Sequence, residues 1–280
     1  MQKFCGACLV GIAFIFGFVG SAAAAPWVID FDNGVDAGGG SVSFVPGTIF
    51  FSDEDSSLQR YETGIPNSTA SVTITAGRWG NPDLAVGYGS EGPIGEDSDL
   101  EQNFTVAPAF NTNPFGPSGP TPVSNSGYGN ILIVQEGGCE STAGGVCTDV
   151  DGNGHGGPDD EAHGGWLKFE FDTAVRLLGM NVFDTEEGDG SVRFYDDQGD
   201  LVTELMPLPN VGDRGVGFMT FNGTDGIIAQ TMKVKLKGSG AIDNITGDTL
   251  STSTVSEPAA LSLLGAGLLV LGAYRRRRLA

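Results

Sequence analysis

Apolar and polar residues alternate along several short stretches of this chain, and this alternation predicts β-strands. In residues 166–171 (WLKFEF), every second residue from Leu167 onward is apolar, and the positions between are Trp, Lys and Glu. A period of two is typical of a strand with one buried face. Residues 191–195 (SVRFY) repeat the pattern. Residues 196–200 (DDQGD) then predict a turn in which Gly199 supplies a positive φ, and Leu201–Leu205 is expected to return as the partner strand.

Further runs predict more strands joined by glycine-rich turns. The chain has 45 glycines, and helical periodicity is nearly absent outside its two ends. The three lysines at 233, 235 and 237 alternate with apolar residues and are expected to face solvent. Many short strands with such turns predict an all-β fold, an antiparallel β-sandwich or jelly roll, over residues 26–249. The remaining predicted strands are 27–31, 70–76, 130–135, 175–183, 217–221, 231–237 and 241–245.

The first 25 residues have the pattern of a secretory signal peptide, expected to form a helix that is later removed. Lys3 is followed by an apolar run over 4–20 and by the small residues 21–25, where a leader is cut. Cys5 and Cys8 lie inside this segment and are expected to be lost with it.

The C-terminal residues 257–280 combine a short polar box, an apolar span and a basic end, after a polar linker at 250–256. Residues 259–274 are sixteen mostly apolar residues, fewer than the roughly 20 that span a bilayer, so they predict a marginal transmembrane helix. A basic cluster is retained on the cytoplasmic side, which places the body outside the inner membrane. The box and the basic end are Ser256, Glu257, Pro258, Arg275, Arg276, Arg277 and Arg278.

This order of parts resembles the PEP-CTERM sorting signal of bacterial exported proteins, with Ser256 in place of the usual first proline. The resemblance implies that an exosortase-type membrane enzyme cleaves the tail near Glu257–Pro258. The protein would then leave its inner-membrane anchor for the cell surface or the extracellular matrix. The body resembles the β-sandwich domains found upstream of such tails, on residues 96–100, 130–136, 160–169 and 238–245. Such domains are compared with calcium-dependent and carbohydrate-binding sandwiches.

The negative charge of the body limits the kinds of partner that it can bind. Residues 26–255 contain 34 acidic and 9 basic residues, a net charge near −25. Such a surface repels nucleic acid and anionic lipid and suits the binding of cations, although solubility alone also explains it.

Two cysteines remain after the leader, Cys139 and Cys147. In an oxidising compartment they are expected to form one local disulfide. A catalytic thiol is the alternative, but no nearby histidine is arranged to activate either sulfur.

An acidic loop follows the cysteines and is the best candidate calcium site. Asp149, Asp151 and Asn153 have the spacing of alternate oxygen ligands in a tight calcium loop. Asp160 stands at the twelfth position and Glu161 follows it, but no flanking helices are apparent, so the loop is not an EF-hand. A solvated acidic turn is the alternative. Two other acidic runs, 91–101 and 184–189, can supply further ligands.

Enzyme signatures are weak in this chain. His155, His163 and Asp159 are conceivable zinc ligands, but they lack the usual H-E-x-x-H spacing. The G-x-S-x-G motif of serine hydrolases does not occur in the sequence either. We therefore expect a non-catalytic exported surface or extracellular-matrix protein that is stabilised by calcium bound to its acidic loops. One alternative is a carbohydrate-binding module acting on extracellular polysaccharide, and another is a secreted hydrolase that uses carboxylates. The carbohydrate-binding alternative needs exposed aromatic residues, for which Trp79, Tyr88, Tyr128 and Trp166 are the candidates.

Overall fold

The computed structural model of the chain describes most of the body. By its contacts, Ala24–Leu250 is a compact unit. The predicted signal peptide, the sorting tail and nearly all of the linker lie outside the described residues. Within the described part, no helix has the length and apolar character needed to span a membrane. The described residues are 26–35, 41–45, 48–51, 63–64, 71–78, 81–89, 100, 104–106, 128–136, 139, 141, 146–148, 157–160, 162–186 and 188–250.

The described residues form β-strands and no helix, which confirms the all-β class. Among the described strands, all pairs are antiparallel except the parallel pair β9–β14. The strands are β1 Pro26–Ile29, β2 Asn33–Val35, β3 Ser41–Ser43, β4 Ile49–Phe51, β5 Thr63–Gly64, β6 Ser71–Arg78, β7 Asn81–Asp83, β8 Ala85–Gly89, β9 Thr105–Val106, β10 Asn130–Val134, β11 Trp166–Phe183, β12 Ser191–Tyr195, β13 Met206–Pro207, β14 Gly215–Thr220, β15 Ile227–Lys235 and β16 Ala241–Thr249.

The long strand β11 links two parts of the sheet. Its first half pairs with β15 on one side and with β6 on the other. Its second half stays paired with β15 as far as Leu177, and it pairs with β16 and, from Gly179 onward, with β14. The pairing with β15 shifts register between Glu170 and Val175, and the intervening residues 172–174 are exposed. A bulge of this kind bends a strand, so one strand can serve two arms of a sandwich.

The first arm consists of the first half of β11 with β6, β15, β12 and β13, and the second arm of the second half of β11 with β14, β16, β10 and β8. The two arms share one apolar core. Side chains of the first arm, such as Phe169 and Met232, belong to the same buried cluster as Leu132 and Ile242 of the second arm. The alternation in the first half of β11 follows from this arrangement, because only one face of the first arm is covered. The body is therefore a β-sandwich.

The second arm is covered on its other face as well. A second apolar cluster includes Leu100, Phe104 and Tyr128, and it packs against Ile131 and Ile133. Every residue of β10 is buried as a result, which accounts for its nearly continuous apolar sequence. The first arm, in contrast, leaves one broad face open to solvent.

One predicted strand is wrong. Leu201–Leu205 does not form a strand: it contributes a single bridge, between Leu201 and Tyr195. The turn before it forms as predicted, with Gly199 at φ 80°. The chain then leaves the edge of β12 and returns as β13. Leu201, Val202 and Leu205 find no buried face, and they are 53%, 41% and 47% exposed.

Candidate functional site

The predicted disulfide between Cys139 and Cys147 is present. Its Cα atoms lie 5.2 Å apart, and Cys147 is buried in the second core. Ser141 and Thr148 exchange two backbone hydrogen bonds inside the loop, with N···O distances of 3.2 and 3.0 Å. The disulfide thus joins two positions of the chain whose cysteines pack in the second apolar cluster.

Most of the predicted calcium loop lies outside the described residues: Asp149, Asp151, Asn153 and Glu161. Asp160 is described and is 4% exposed. Its Oδ2 accepts a hydrogen bond from the backbone N–H of Gly240, at the start of β16. Asp160 therefore ties its loop to the sheet. Calcium binding by the loop as a whole stays a prediction.

Gln135 holds the same segment from the other side. Its Nε2 donates to the carbonyl of Gly157 at 2.9 Å, and its Oε1 accepts from the N–H of Asp159 at 3.1 Å. The buried amide thereby satisfies backbone groups of residues 157–159, as buried polar groups require.

A different acidic cluster brings three carboxylates together. One oxygen each of Asp184, Glu186 and Asp213 lies within 4.8 Å of the other two. Asp184 is buried; its Oδ1 accepts from the N–H of Arg214 and its Oδ2 from the hydroxyl of Ser239, both at 2.8 Å. The first two carboxylates belong to the predicted acidic run 184–189. This cluster can hold a metal ion, since oxygen ligands from carboxylates suit hard cations.

Asp189, also in that run, is engaged elsewhere. Its Oδ2 lies 2.5 Å from the Nζ of Lys237. The hydrogen bond from Lys237 and the lysine's charge lower the pKa of Asp189. Lys237 is exposed, as predicted, and Asp189 is not part of the three-carboxylate cluster.

The open face of the first arm carries basic and aromatic side chains in register. Residues directly opposite one another on neighbouring strands point to the same face. Across β11, β15 and β12, one row is Lys168, Lys233 and Arg193. The row on one side is Trp166, Lys235 and Ser191, and the row on the other is Glu170, Thr231 and Tyr195. We call the set Trp166, Lys168, Arg193, Tyr195, Lys233 and Lys235 the cationic face.

Trp166 lines a concavity on this face. Its ring is partly exposed, and the Nζ of Lys233 sits 4.2 Å from the ring centroid, a cation–π contact. The concavity has a volume of about 220 Å³. It is lined by Gly164, Gly165, Trp166, Ser191, Arg193, Tyr195, Lys233, Lys235 and Leu236.

The basic groups of the cationic face repel one another. Partial burial lowers the pKa of Lys233, and the charges of Lys168 and Arg193 lower it further. Lys168 is paired with Glu170, with an Nζ–Oε1 distance of 2.7 Å. No carboxylate stands at any position of the row that contains Lys233.

The aromatic residues predicted to be exposed differ in burial where the structure describes them. Tyr88 and Tyr128 are wrong as exposed aromatics, because they are 0% and 6% exposed in the second core. Tyr128 packs edge-on against Phe183, with ring centroids 4.8 Å apart. Trp79 lies outside the described residues. Trp166 is accessible, and Tyr195, which the sequence analysis missed, joins it on the same face.

Two buried polar residues face each other in the second arm. Asn181 and Asp243 are directly opposite on β11 and β16, and both are 0% exposed. Within the part of the chain that the structure describes, the Oδ1 of Asp243 and both polar atoms of the Asn181 amide have no hydrogen-bond partner. Burial raises the pKa of Asp243 well above its usual value; a hydrogen bond from the backbone of Asn244 opposes this, and the charges of Asp32 and Asp30 add to it.

Neither a protein-family model nor a curated protein sequence matches this chain. Partial matches exist among solved structures. A fucose-binding module of Streptococcus pneumoniae is 16% identical, with a TM-score of 0.22, over 32% of this chain and 67% of its own. The CpGH89CBM32-6 protein of Clostridium perfringens is 10% identical, with a TM-score of 0.24, over 32% and 71%. Allantoicase of Saccharomyces cerevisiae is 18% identical, with a TM-score of 0.21, over 32% and 34%. At these values the matches carry no argument about the ligand of this chain.

Proposed function

We propose that the body is a non-catalytic polysaccharide-binding domain and that the cationic face is its binding site. The observation that carries this proposal is the partly exposed Trp166 beside Tyr195, in a concavity rimmed by basic side chains. A sugar ring has an apolar C–H face and a polar edge. An accessible indole matches the first, and nearby donors match the second.

The shape of the site favours a polymer over an enclosed small molecule. Its volume of about 220 Å³ is below the roughly 300–1,000 Å³ of pockets that enclose drug-sized ligands. The concavity lies on the open face of a sheet, so a chain of sugars can extend beyond it across β11, β15 and β12. Arg193, Lys233 and Lys235 would donate hydrogen bonds to the sugar that stacks on Trp166.

We propose that this activity lies outside the cell, as the resemblance of the chain's two ends to export and sorting signals implies. In this proposal residues 1–25 direct export, and residues 259–274 anchor the chain in the inner membrane until an exosortase-type enzyme cleaves near Glu257–Pro258. The processed body then reaches the cell surface or the extracellular polysaccharide. Calcium is proposed as a stabilising ion of the acidic loops, with Asp184, Glu186 and Asp213 as an additional candidate ligand set.

Affinity gel electrophoresis of the purified chain tests the proposal. Gels are cast with single neutral or acidic polysaccharides, and migration is compared with that in an empty gel. We expect at least one polysaccharide to retard the protein, and its oligosaccharides to release it in competition. Unchanged migration in every gel of the panel would refute polysaccharide binding.

A further inference from the structure

We infer that the polysaccharide bound at the cationic face is anionic and carries carboxylate or sulfate groups. This inference rests on the proposed function and specifies its ligand class. It follows from the position of the body's positive charges and from their spacing.

Basic residues are rare in this body and concentrated on the face. Of the nine lysines and arginines between residues 26 and 255, four belong to the cationic face. Glu170 is the one acidic residue in its three rows, and it is paired with Lys168. A protein with a net charge near −25 thus presents a locally positive surface around its accessible tryptophan.

The spacing of these charges costs stability in the unbound protein. Directly opposite residues on neighbouring antiparallel strands have Cβ atoms about 4.5–5.5 Å apart, and like charges at such positions are destabilising. Lys233 stands between Lys168 and Arg193 in this way. Partial burial is the largest cause of the lowered pKa of Lys233, and the charges of Lys168 and Arg193 lower it further. An anionic group over this row would relieve the repulsion that remains after Lys168 pairs with Glu170.

The side chains suit carboxylate or sulfate in particular. Arg193 is exposed and presents a planar fork that donates two parallel hydrogen bonds to either group. Lys233 and Lys235 add point charges beside the tryptophan ring. A sugar that stacks on Trp166 would then direct an acidic substituent toward Arg193.

The acidic remainder of the body distinguishes such a polymer from nucleic acid. Exposed charges act over about 8–10 Å at physiological salt, so the basic row dominates only close to the face. A densely charged duplex would also meet the acidic surroundings, whereas a flexible glycan contacts the face alone. We therefore assign the face to an acidic polysaccharide.

Isothermal titration with two matched pairs of polymers tests this inference. One pair is polygalacturonate and its methyl ester, and the other is dextran sulfate and dextran. Within each pair the sugar backbone is the same, and the members differ in whether they carry ionised carboxylate or sulfate groups. We expect the charged member of at least one pair to bind at least about tenfold more tightly, and the difference to shrink as salt is raised.

Two variants locate the effect. The double substitution Arg193→Gln with Lys233→Gln is expected to remove most of the preference for the charged polymer. Lys237→Gln, which alters a lysine already paired with Asp189, is the matched control and should leave the preference intact. Thermal melting of each variant verifies that the fold is retained, which we expect because the double substitution removes like-charge repulsion.

The outcomes separate the inference from the proposed function. Equal affinity for the charged and neutral members of each pair would overturn the inference and leave polysaccharide binding intact. The same conclusion would follow if only neutral polysaccharides retarded the protein in the gels. Binding of neither member in either pair, with no retardation in any gel, would overturn both. A preference for the charged polymer that survives the double substitution would also contradict this site.

Discussion

Trp166→Ala is expected to weaken polysaccharide binding about 30-fold. A central aromatic side chain in a binding surface commonly contributes about 2 kcal/mol or more, and 1.4 kcal/mol corresponds to a factor of ten. Trp166 is suited to this role because it is partly exposed. The Nζ of Lys233 lies 4.2 Å from the centroid of its ring, which fixes one side of the indole. Titration calorimetry with the polymer that retards the wild-type protein most strongly measures the change.

Ile228→Ala is the matched control for this loss. Ile228 is an apolar residue of β15 that is 49% exposed and does not line the concavity around Trp166. Its truncation should leave affinity within about twofold of wild type. Trp166→Phe should retain part of the binding, since an aromatic ring remains. Equal affinities of Trp166→Ala and wild type would exclude the tryptophan from the site.

Asp243→Asn is expected to stabilise the body at neutral pH by about 1–3 kcal/mol, the usual cost of a buried polar group without a partner. Asp243 is fully buried and lies directly opposite Asn181 on the neighbouring strand. Among the described residues, its Oδ1 has no hydrogen-bond partner. An asparagine keeps the shape of the side chain and carries no charge to desolvate. Its amide can also donate to Oδ1 of Asn181.

The sign of the pH dependence follows from the raised pKa of Asp243. An ordinary aspartate in the unfolded chain has a pKa of about 3.9. The folded state binds the proton of Asp243 more tightly than the unfolded state does. The stabilising contribution of Asp243 to the free energy of unfolding is therefore fully present below the unfolded pKa and is lost as pH rises through the folded pKa. The advantage of Asp243→Asn should therefore be small near pH 4 and grow toward neutral pH.

Urea unfolding of wild type and variant at the two pH values measures this difference. Asp197→Asn, in the exposed turn after β12, is the control and should change stability little at either pH. A variant that is less stable than wild type at neutral pH would contradict the account, because it would show that the Asp243 carboxylate is stabilised there in its charged form.

Local sequence patterns predict the strands of this protein well where one face is buried. The predicted strand 191–195 coincides with β12, and its turn contains the expected positive φ at Gly199. The patterns do not show that residues 166–183 form a single strand, because the alternation is interrupted where β11 bends and changes partners. The failure of Leu201–Leu205 has a similar cause: apolar residues alone do not supply a neighbouring strand.

The candidate site depends even more on pairing between distant strands. Trp166 can be identified as a candidate from its place on the polar side of β11, and the lysines of β15 can be predicted to face solvent. Their juxtaposition with Arg193 and Tyr195 requires the register of β11, β15 and β12. The burial of Tyr88 and Tyr128 likewise requires the second core, which local alternation cannot reveal.

Chemical-shift mapping by NMR tests the central claim most directly. The ¹⁵N-labelled protein is titrated with oligogalacturonate, and the indole N–H of Trp166 is followed together with backbone amides. We predict the largest shifts at Trp166, Arg193 and Lys233, with little change in β10 on the second arm. Shifts concentrated around Asp184 and Asp213, or no shifts at saturating oligosaccharide, would contradict a glycan site on the cationic face.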